Sequence, residues 1–394
     1  MPTELDLRSA RLDRLLGINS NQDRDFGGLS ESETFWRDHQ PWLEECGYML
    51  RPRYRPGWVR SWEGTNKDPW HCTDGPPGRF LLVLDAVRIR DKTDVCLKRI
   101  DTGKHKLECE IGTFFSSGSL ADDPENHCVP ILETLQFPDD EKITILVMPL
   151  LRKYSDPRFD TFGEAVDFFG QIFEGLKFMH DHNVAHRDCN SNNIMMDGSK
   201  MFPEGYHPVK PKLKRDYYSG RARFYTRTQR PPKYYLIDFG LSSRYQTRNP
   251  PPLEMGIEAG DKSVPEFQLS ENSPPPKPSD PFPIDVYYLG NMIRQNFLEG
   301  RPIFSYQNRL YGFEFMKPLV DDMTSNDPSK RPTADEVVER FAIIRDSLSS
   351  WKLRSRVIKA SDSLFPGALR SVKHWYRRIR FILLRVPTIP VKRA

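Results

Sequence analysis

Near Thr161 the apolar residues of this 394-residue chain change period, and that change limits the folds open to it. Before it the pattern is that of strands. Apolar alternation begins at "RFLLVLDAVRI", passes the turn-like "RDKTD" and resumes at "VCLKRI", which reads as a β-hairpin. A helical segment "HKLECEIGTFFSS" follows, then "CVPILETLQF" and "KITILVMPLL", giving the order strand, strand, helix, strand, strand. From Thr161, "FGEAVDFFGQIFEGLKFMHDH" places Ala165, Phe168, Phe169, Ile172, Phe173, Leu176 and Met179 at helical spacing with no proline. Strand-like "NIMMD", a Pro-rich basic segment and the apolar strand "YYLIDFG" come next, and the remainder to about Ser349 reads as helices with Pro-rich connections. A chain of this length is long for one core, so two lobes or domains plus extensions are expected.

Composition narrows the class. Hydrophobic residues make up 38%, charged residues 28% and the mean hydropathy is -0.63, an ordinary water-soluble balance. The six cysteines (Cys46, Cys72, Cys96, Cys109, Cys128, Cys189) form no CxxC pair and no Cys/His cluster, which argues against structural zinc and against a disulfide framework. Reduced thiols in a cytoplasmic or nuclear compartment fit that usage. The N-terminal "MPTELDLRSARLDRLLGINS" shows a helical pattern at Leu12, Leu15 and Leu16 but lacks the uninterrupted apolar core of a signal peptide, so secretion is not expected. The late runs "FILL" and "VPTIPV" fall far short of the ~20 residues that span a bilayer.

Two short polar stretches carry chemistry. In "HRDCNSNNIMMD", Asp188 can accept or orient the proton of an attacking hydroxyl, and Asn193 offers an amide oxygen to a hard cation. In "YYLIDFGLS" an apolar strand ends in Asp238-Phe239-Gly240, where a carboxylate is placed to hold a metal ion bridging phosphate oxygens. A strand-to-turn Asp-Gly boundary is common by itself; the upstream Asp and Asn make it more than that.

Together these stretches resemble the eukaryotic protein kinase family over roughly residues 75 to 348, with "FWRDHQPWLEECGYMLRPRYRPGW", "NHCVPIL" and "VAHRDCNSNNIMMD" most similar to a kinase-like group abundant in mushroom-forming fungi. The resemblance implies an α+β, bilobal fold with a small β-rich N-lobe and a larger helical C-lobe. It implies ATP and Mg2+ as cofactors, a protein substrate and transfer to a Ser/Thr hydroxyl. "VCLKRI" is similar to the third-strand "VAIK", so Lys98 would hold the α- and β-phosphates. The glutamate that pairs with such a lysine would be Glu108, with Glu110 as the alternative. "ILVMPLL" resembles the fifth strand and hinge, which places Met148 at the gatekeeper, Pro149 beside it and the Leu151 amide toward adenine. His186 would pack beneath the metal-binding loop and Arg187 would counter a nearby acid. Val264-Pro265-Glu266 resembles the end of the activation segment, Asp285 would brace the catalytic loop, and Arg331 of "DPSKRPTADEV" would pair with Glu266. These last elements separate the chain from small-molecule kinases. Asp188, Lys98 and Asn193 are the catalytic candidates, and Asn193 and Asp238 the metal ligands.

Three features depart from the family pattern. No GxGxxG precedes Lys98; in "DGPPGRF" the prolines at 76 and 77 remove amides that would cradle phosphate. Asn190 stands where a lysine is expected, Asn192 stands where tyrosine kinases place a compensating arginine, and "EAGDKSVPE" lacks the usual threonine. The alternative is therefore a pseudokinase interaction module with weak or no ATP binding.

Domain boundaries are read as an N-terminal extension over 1-70, N-lobe 71-148, C-lobe 149-349 with a basic insert at 198-233, and a basic tail over 350-394. The insert holds ten Lys and Arg against two acidic residues, with Phe202, Tyr206, Tyr217, Tyr218, Phe224 and Tyr225 interleaved. It reads either as a docking surface for acidic peptide or RNA or as a solvated mobile loop; nucleic acid is not expected as a partner. Nothing in the pattern sets an oligomeric state. The net charge of +4 is uneven: from Trp351 to Ala394 twelve Lys and Arg face one Asp, so that stretch carries +11 and the first 350 residues carry −7. There Phe365, Leu369, Val372, Trp375, Ile379 and Ile382 form an apolar stripe, and Arg370, Lys373, Arg377 and Arg380 a basic one. Such a helix can lie on an anionic membrane surface, or dock on the C-lobe with its cations solvated.

Overall fold

A computed structural model of the protein describes residues 28-69, 72-75, 77-78, 82-216, 220-256, 261, 263-268, 277-300, 309-362 and 364-391. The helical pattern at Leu12, Leu15 and Leu16, the rings of Tyr217 and Tyr218, and the side chains of Phe365 and Leu369 lie outside the described residues. The chain divides into a β-rich unit (Met1–Lys106, Pro130–Leu151, Phe202–Phe224) and a helical unit (Leu107–Val129, Arg152–Met201, Tyr225–Ala394).

The β-rich unit is built on one antiparallel sheet of five strands: β1 (Tyr48–Leu50), β2 (Val83–Arg88), β3 (Asp94–Asp101), β4 (Glu133–Gln136) and β5 (Ile143–Pro149), in the order β1-β2-β3-β5-β4. Strand period sorts the side chains onto two faces. Leu84, Ala86, Val95, Leu97, Ile145 and Val147 fall on one face and join Trp36 and Leu43 in the buried core. Trp36 and Leu43 come from helices Glu31–Asp38 and Gln40–Glu45, the first of which starts at a capping box between Ser30 and Glu33. Each such burial contributes roughly 2 kcal/mol.

From Gly28 on, the stretch read as an N-terminal extension is thus part of the sheet unit. β1 comes from it and pairs with β2, with Tyr48 opposite Arg88 and Leu50 opposite Ala86. The chain between these two strands runs from Arg51 to Leu82, in place of a tight glycine-rich turn. Polar contacts tie its described part down. Arg53 is buried and donates to Glu33 Oε1 at 2.8 Å, and Asp74 accepts from Trp58 Nε1 at 2.8 Å and from the Ser61 amide at 3.0 Å. A three-residue strand among tryptophans and prolines offers too short an alternation to be seen in sequence.

The basic insert is folded rather than a mobile loop across its described residues, and its middle clusters with the sheet unit. The His207 amide donates to the Leu213 carbonyl at 3.0 Å, Leu213 bridges Arg221, and Phe202, Tyr206 and Val209 are buried. Arg215 forms an ion pair with Asp94, and Tyr206 Oη reaches the Leu150 carbonyl at 3.5 Å. Its aromatic residues therefore serve packing as much as surface, with Phe224 and Tyr225 the exposed ones.

The helical unit forms around helix Phe162–Asp181, capped by Thr161, whose side chain accepts from the Glu164 amide. The seven apolar residues that marked it in sequence are all buried, packed on Phe297, Phe313 and Phe341. Two small ribbons carry the polar motifs: β6 (Arg152–Lys153), β8 (Ile194–Met196) and β9 (Tyr234–Leu236) form one, and β7 (Val184–Ala185) pairs with β10 (Ser243–Arg244) in the other.

The tail forms helix Leu364–Leu383, docked on this unit through its polar side. His374, Arg378 and Phe381 are buried, Arg377 pairs with Asp160 at 2.9 Å and Arg370 with Asp362 at 2.7 Å. Docking with solvated cations is therefore corrected: several cations make the joint, and Val372, Trp375, Ile379 and Ile382 of the apolar stripe face out, because the surface the cations meet supplies the carboxylates. Asp362 also accepts from Arg158 at 2.7 Å, and that guanidinium holds its carboxyl at about 2. A carboxyl depressed on folding stabilises the native state above its unfolded pKa of about 4 and loses that contribution as pH falls toward 2. Hydrogen-exchange protection within residues 364-383, taken relative to the intrinsic amide rate at each pH, is expected to be high at neutral pH and to fall between about pH 4 and pH 2. Unchanged protection across that window would show that these ion pairs do not hold the helix.

Candidate active site

In the sheet unit, Lys98 stands on β3 opposite Leu146, and Cys96 opposite Met148, so Lys98 and Met148 share the face turned away from the core. Pro149 ends β5 opposite Val95, and Leu151 follows just before β6. The Leu150 amide donates to the Asp94 carbonyl at 3.4 Å, while Arg215 and Tyr206 of the insert hold the same segment.

The Lys98 face also carries a charged pair with no counterpart in the expected site. Asp85 of β2 lies opposite Cys96, and Arg51 donates to its two carboxylate oxygens at 3.1 and 2.8 Å. Arg51 also lies 5.1 Å from the centre of the Tyr54 ring. Burial pushes the Cys96 thiol up to about 12, with Asp85's charge adding to it. Burial, then the charge of Arg51, lowers the pKa of His207 in the insert. An acidic residue inside the alternation "LLVLDAVRI" was the available sequence signal for this pair.

In the helical unit, Asp285 fixes the loop that carries Asp188. It is fully buried and its two oxygens accept from the backbone amides of His186 at 2.7 Å and Arg187 at 2.6 Å. His180 Nε2 lies 3.2 Å from the same carboxylate. These bonds hold Arg187 at φ 65°, a left-handed conformation unfavourable to a side chain of this size. Its guanidinium donates to Ser243 Oγ at 3.1 Å and pairs with Glu254 at 3.5 Å. His186 lies edge-on to Phe239, 5.8 Å between ring centres, and Phe239 packs on Phe115.

The Asp188 carboxylate is gripped from two sides. Asn190 Nδ2 donates to Oδ1 at 2.6 Å and Asn193 Nδ2 donates to Oδ2 at 2.7 Å. Asn190, conspicuous in sequence as a missing charge, thus acquires a role as an orienting donor. Asn193 also donates to the Asp188 carbonyl at 3.1 Å, which leaves its amide oxygen as the atom able to face a cation. Burial raises the Asp188 carboxyl from its ordinary value, with the charge of Asp238 adding, against the charge of His186 and the bonds from Asn190 and Asn193 that lower it.

Asp238 also sits at positive φ, 67°, at the start of a short 3-10 turn through Phe239 and Gly240. A Cβ at Gly240 would come within 3.1 Å of Glu108 Oε2 and 3.3 Å of Asp238 Oδ1, so the turn lies in close contact with both carboxylates. Glu108 is buried and faces this turn, whereas Glu110 is exposed. The Asn193 amide oxygen and the Asp238 carboxylate are hard oxygen donors of the kind a divalent cation takes, while no group of three or more His, Cys, Asp or Glu side chains gathers into a metal site among the described residues.

Of the residues singled out in sequence, Asp188, Asn193, Asp238 and Glu108 therefore lie together in the helical unit, and Lys98, Met148, Pro149 and Leu151 lie in the sheet unit. Ser263, near the position of the missing threonine, accepts at Oγ from Asn291 Nδ2 at 2.7 Å, and Asn291 also reaches Asp261. Glu266 meets Arg331 in a two-pronged pair at 2.7 Å on each side.

A family model described as the protein kinase domain matches residues 77–310, more than half of the chain. Over 100 residues the chain is 29% identical to the serine/threonine-protein kinase CAK1 of Saccharomyces cerevisiae, a match covering 25% of this chain and 20% of that protein. The aligned segment thus spans about a fifth of the curated relative. β1 and Arg331 both fall outside the matched family segment.

Proposed function

We propose, on the premise that this chain belongs to the protein kinase domain family, that it transfers the γ-phosphate of ATP to a serine or threonine hydroxyl of a protein substrate. The observation that supports this best is the Asp188 carboxylate, held by Asn190 and Asn193 and influenced by the charge of Asp238. A carboxyl raised by burial is a stronger proton acceptor than one in water. Asp188 takes the hydroxyl proton as the hydroxyl oxygen bonds to the γ-phosphorus and the bond to the leaving ADP oxygen breaks. Asn193 and Asp238 would hold Mg2+, which would supply positive charge against the phosphate oxygens. Lys98 binds the α- and β-phosphates, and Met148, Pro149 and Leu151 line the adenine end. Asn190 supplies no positive charge, so the reading rests on the metal and Lys98 for charge compensation. Asn192 gives no arginine of the tyrosine-kinase kind, and the likeness to a serine/threonine-protein kinase favours the aliphatic hydroxyl.

A second reading, an interaction module with little nucleotide binding, is favoured by the Arg51–Asp85 pair. It places buried charge on the face that carries Lys98 and Met148, where a flat, largely apolar base would have to stack.

Titrating Mg-ATP while following melting temperature separates the two. With nucleotide at roughly tenfold above its Kd, a rise of about 3 °C is expected, dependent on magnesium, followed by added phosphate in the intact mass of a generic substrate. No melting shift at saturating Mg-ATP and no binding of a fluorescent nucleotide analogue would leave the interaction module as the function.

A further inference from the structure

Helix Leu364–Leu383 has two unlike sides, and the side turned to solvent is the apolar one. Val372, Trp375, Tyr376, Ile379, Ile382 and Leu383 fall at spacings of three, four and seven, so they form one ridge. Every one of them is exposed, Val372 at 69% and Leu383 at 77%. The opposite side is consumed by docking: His374, Arg378 and Phe381 are buried, and Arg378 stacks on Trp351 at 3.7 Å, with Trp375 marking the edge of the ridge 4.9 Å from the same guanidinium. Arg377 pairs with Asp160, and Arg370 with Asp362, which also meets Arg158. The unusual economy of this helix is that ion pairs attach it while an apolar ridge remains free, a state that costs hydration free energy unless something covers it.

Lys373 and Arg380, seven residues apart, are exposed along one flank of the ridge, and Arg385 is exposed just past its end. We propose that this ridge is a docking surface for an anionic membrane, lying in the plane of the interface with the rest of the helical unit above it. Four observations favour that occupant. The ridge is a convex single-helix edge, suited to a flat fluid surface. Trp375 and Tyr376 are amphipathic rings of the kind that sit at headgroup level. The exposed cations Lys373, Arg380 and Arg385 complement anionic headgroups. No helix among the described residues is long and apolar enough to cross a bilayer, so the contact is one of lying on the surface. A second copy of the chain is a poorer occupant, because two-fold pairing of the ridge would oppose Lys373, Arg380 and Arg385 of one copy to the same cations of the other.

The test is co-sedimentation of the full chain with phosphatidylcholine vesicles containing or lacking phosphatidylserine, alongside its elution volume in size-exclusion chromatography. Binding is expected only with phosphatidylserine and is expected to fall with salt. Lys373→Gln with Arg380→Gln should weaken it roughly thirtyfold, two surface cations being removed. Ile379→Ser with Leu383→Ser should abolish pelleting; both side chains are exposed, so an unchanged melting temperature is expected to show that the fold persists. The proposal is overturned if the native chain pellets equally with neutral vesicles or not at all, or if either double variant binds as the native chain does. It is equally overturned if the native chain elutes as a dimer that Ile379→Ser with Leu383→Ser converts to a monomer, since the ridge then belongs to a second copy.

Discussion

Arg331→Ala is expected to cost about 3 to 5 kcal/mol of stability and to lower the melting temperature by on the order of 10 °C. The Arg331 side chain is fully buried and its Glu266 partner is 9% exposed, with both prongs of the pair at 2.7 Å. The same guanidinium donates to the Ser325 carbonyl at 2.9 Å and the Pro283 carbonyl at 3.2 Å, and lies 4.9 Å from the centre of the Tyr287 ring. Truncation therefore strands a buried carboxylate and takes a charged donor from two carbonyls at once. Arg331→Lys should recover part of the loss, since an ammonium keeps the charge but not the two-pronged geometry. A control pair shows what burial adds: Lys317 and Asp321 sit 2.6 Å apart with both side chains more than half exposed, and Lys317→Ala should cost about 0.5 kcal/mol or less. Urea unfolding of the three variants measures the contrast. A cost below about 1 kcal/mol for Arg331→Ala would mean that Glu266 is released to water in the variant and that the segment it ends is free to move.

Much of the larger architecture was legible because it rests on long periodic signals. Helix Phe162–Asp181 buries all seven apolar residues that marked it, and the hairpin of β2 and β3 follows an alternation that survives the polar Lys98 and Asp85. The polar motifs were legible for another reason: Asp188, Asn193 and Asp238 owe their positions to short local turns, fixed by backbone bonds to Asp285 and by a glycine in close contact with two carboxylates. What stayed hidden was long-range and local pattern could not encode it. β1 is three residues long and separated from its partner strand by the whole run from Arg51 to Leu82, so its membership of the sheet depends on tertiary packing. The insert looked like a solvated loop because its cations dominate its composition, yet Phe202, Tyr206 and Val209 are buried. In the tail helix both stripes were visible, but which of them faces the protein depends on Asp160 and Asp362, some two hundred and eight residues away respectively from the arginines they meet. Sequence period finds the two faces of a helix; it does not say which one the neighbouring surface will select.

Asp188→Asn is expected to lower phosphoryl transfer by roughly 10²- to 10⁴-fold while leaving the melting temperature within about 2 °C of the native chain. The two effects separate because the carboxylate is costly to the fold and necessary to the chemistry. Burial, with Asp238 adding to it, raises the Asp188 carboxyl, so its ionised form opposes folding at neutral pH and a neutral amide of the same shape removes that opposition. Against this gain stands one mismatched contact, since Asn190 and Asn193 both present N–H groups to the two oxygens and an amide can accept on only one side. The two terms are of opposite sign and offset one another. Chemistry has no such compensation: an amide cannot take the proton of the attacking hydroxyl. Asp238→Asn, which weakens a metal donor instead, should raise the magnesium concentration needed for transfer, so the two variants differ in their response to added metal. Transfer by Asp188→Asn within tenfold of the native rate would remove Asp188 from the reaction. A loss of stability matching that of Arg331→Ala would show that Asp188 serves the fold rather than the hydroxyl.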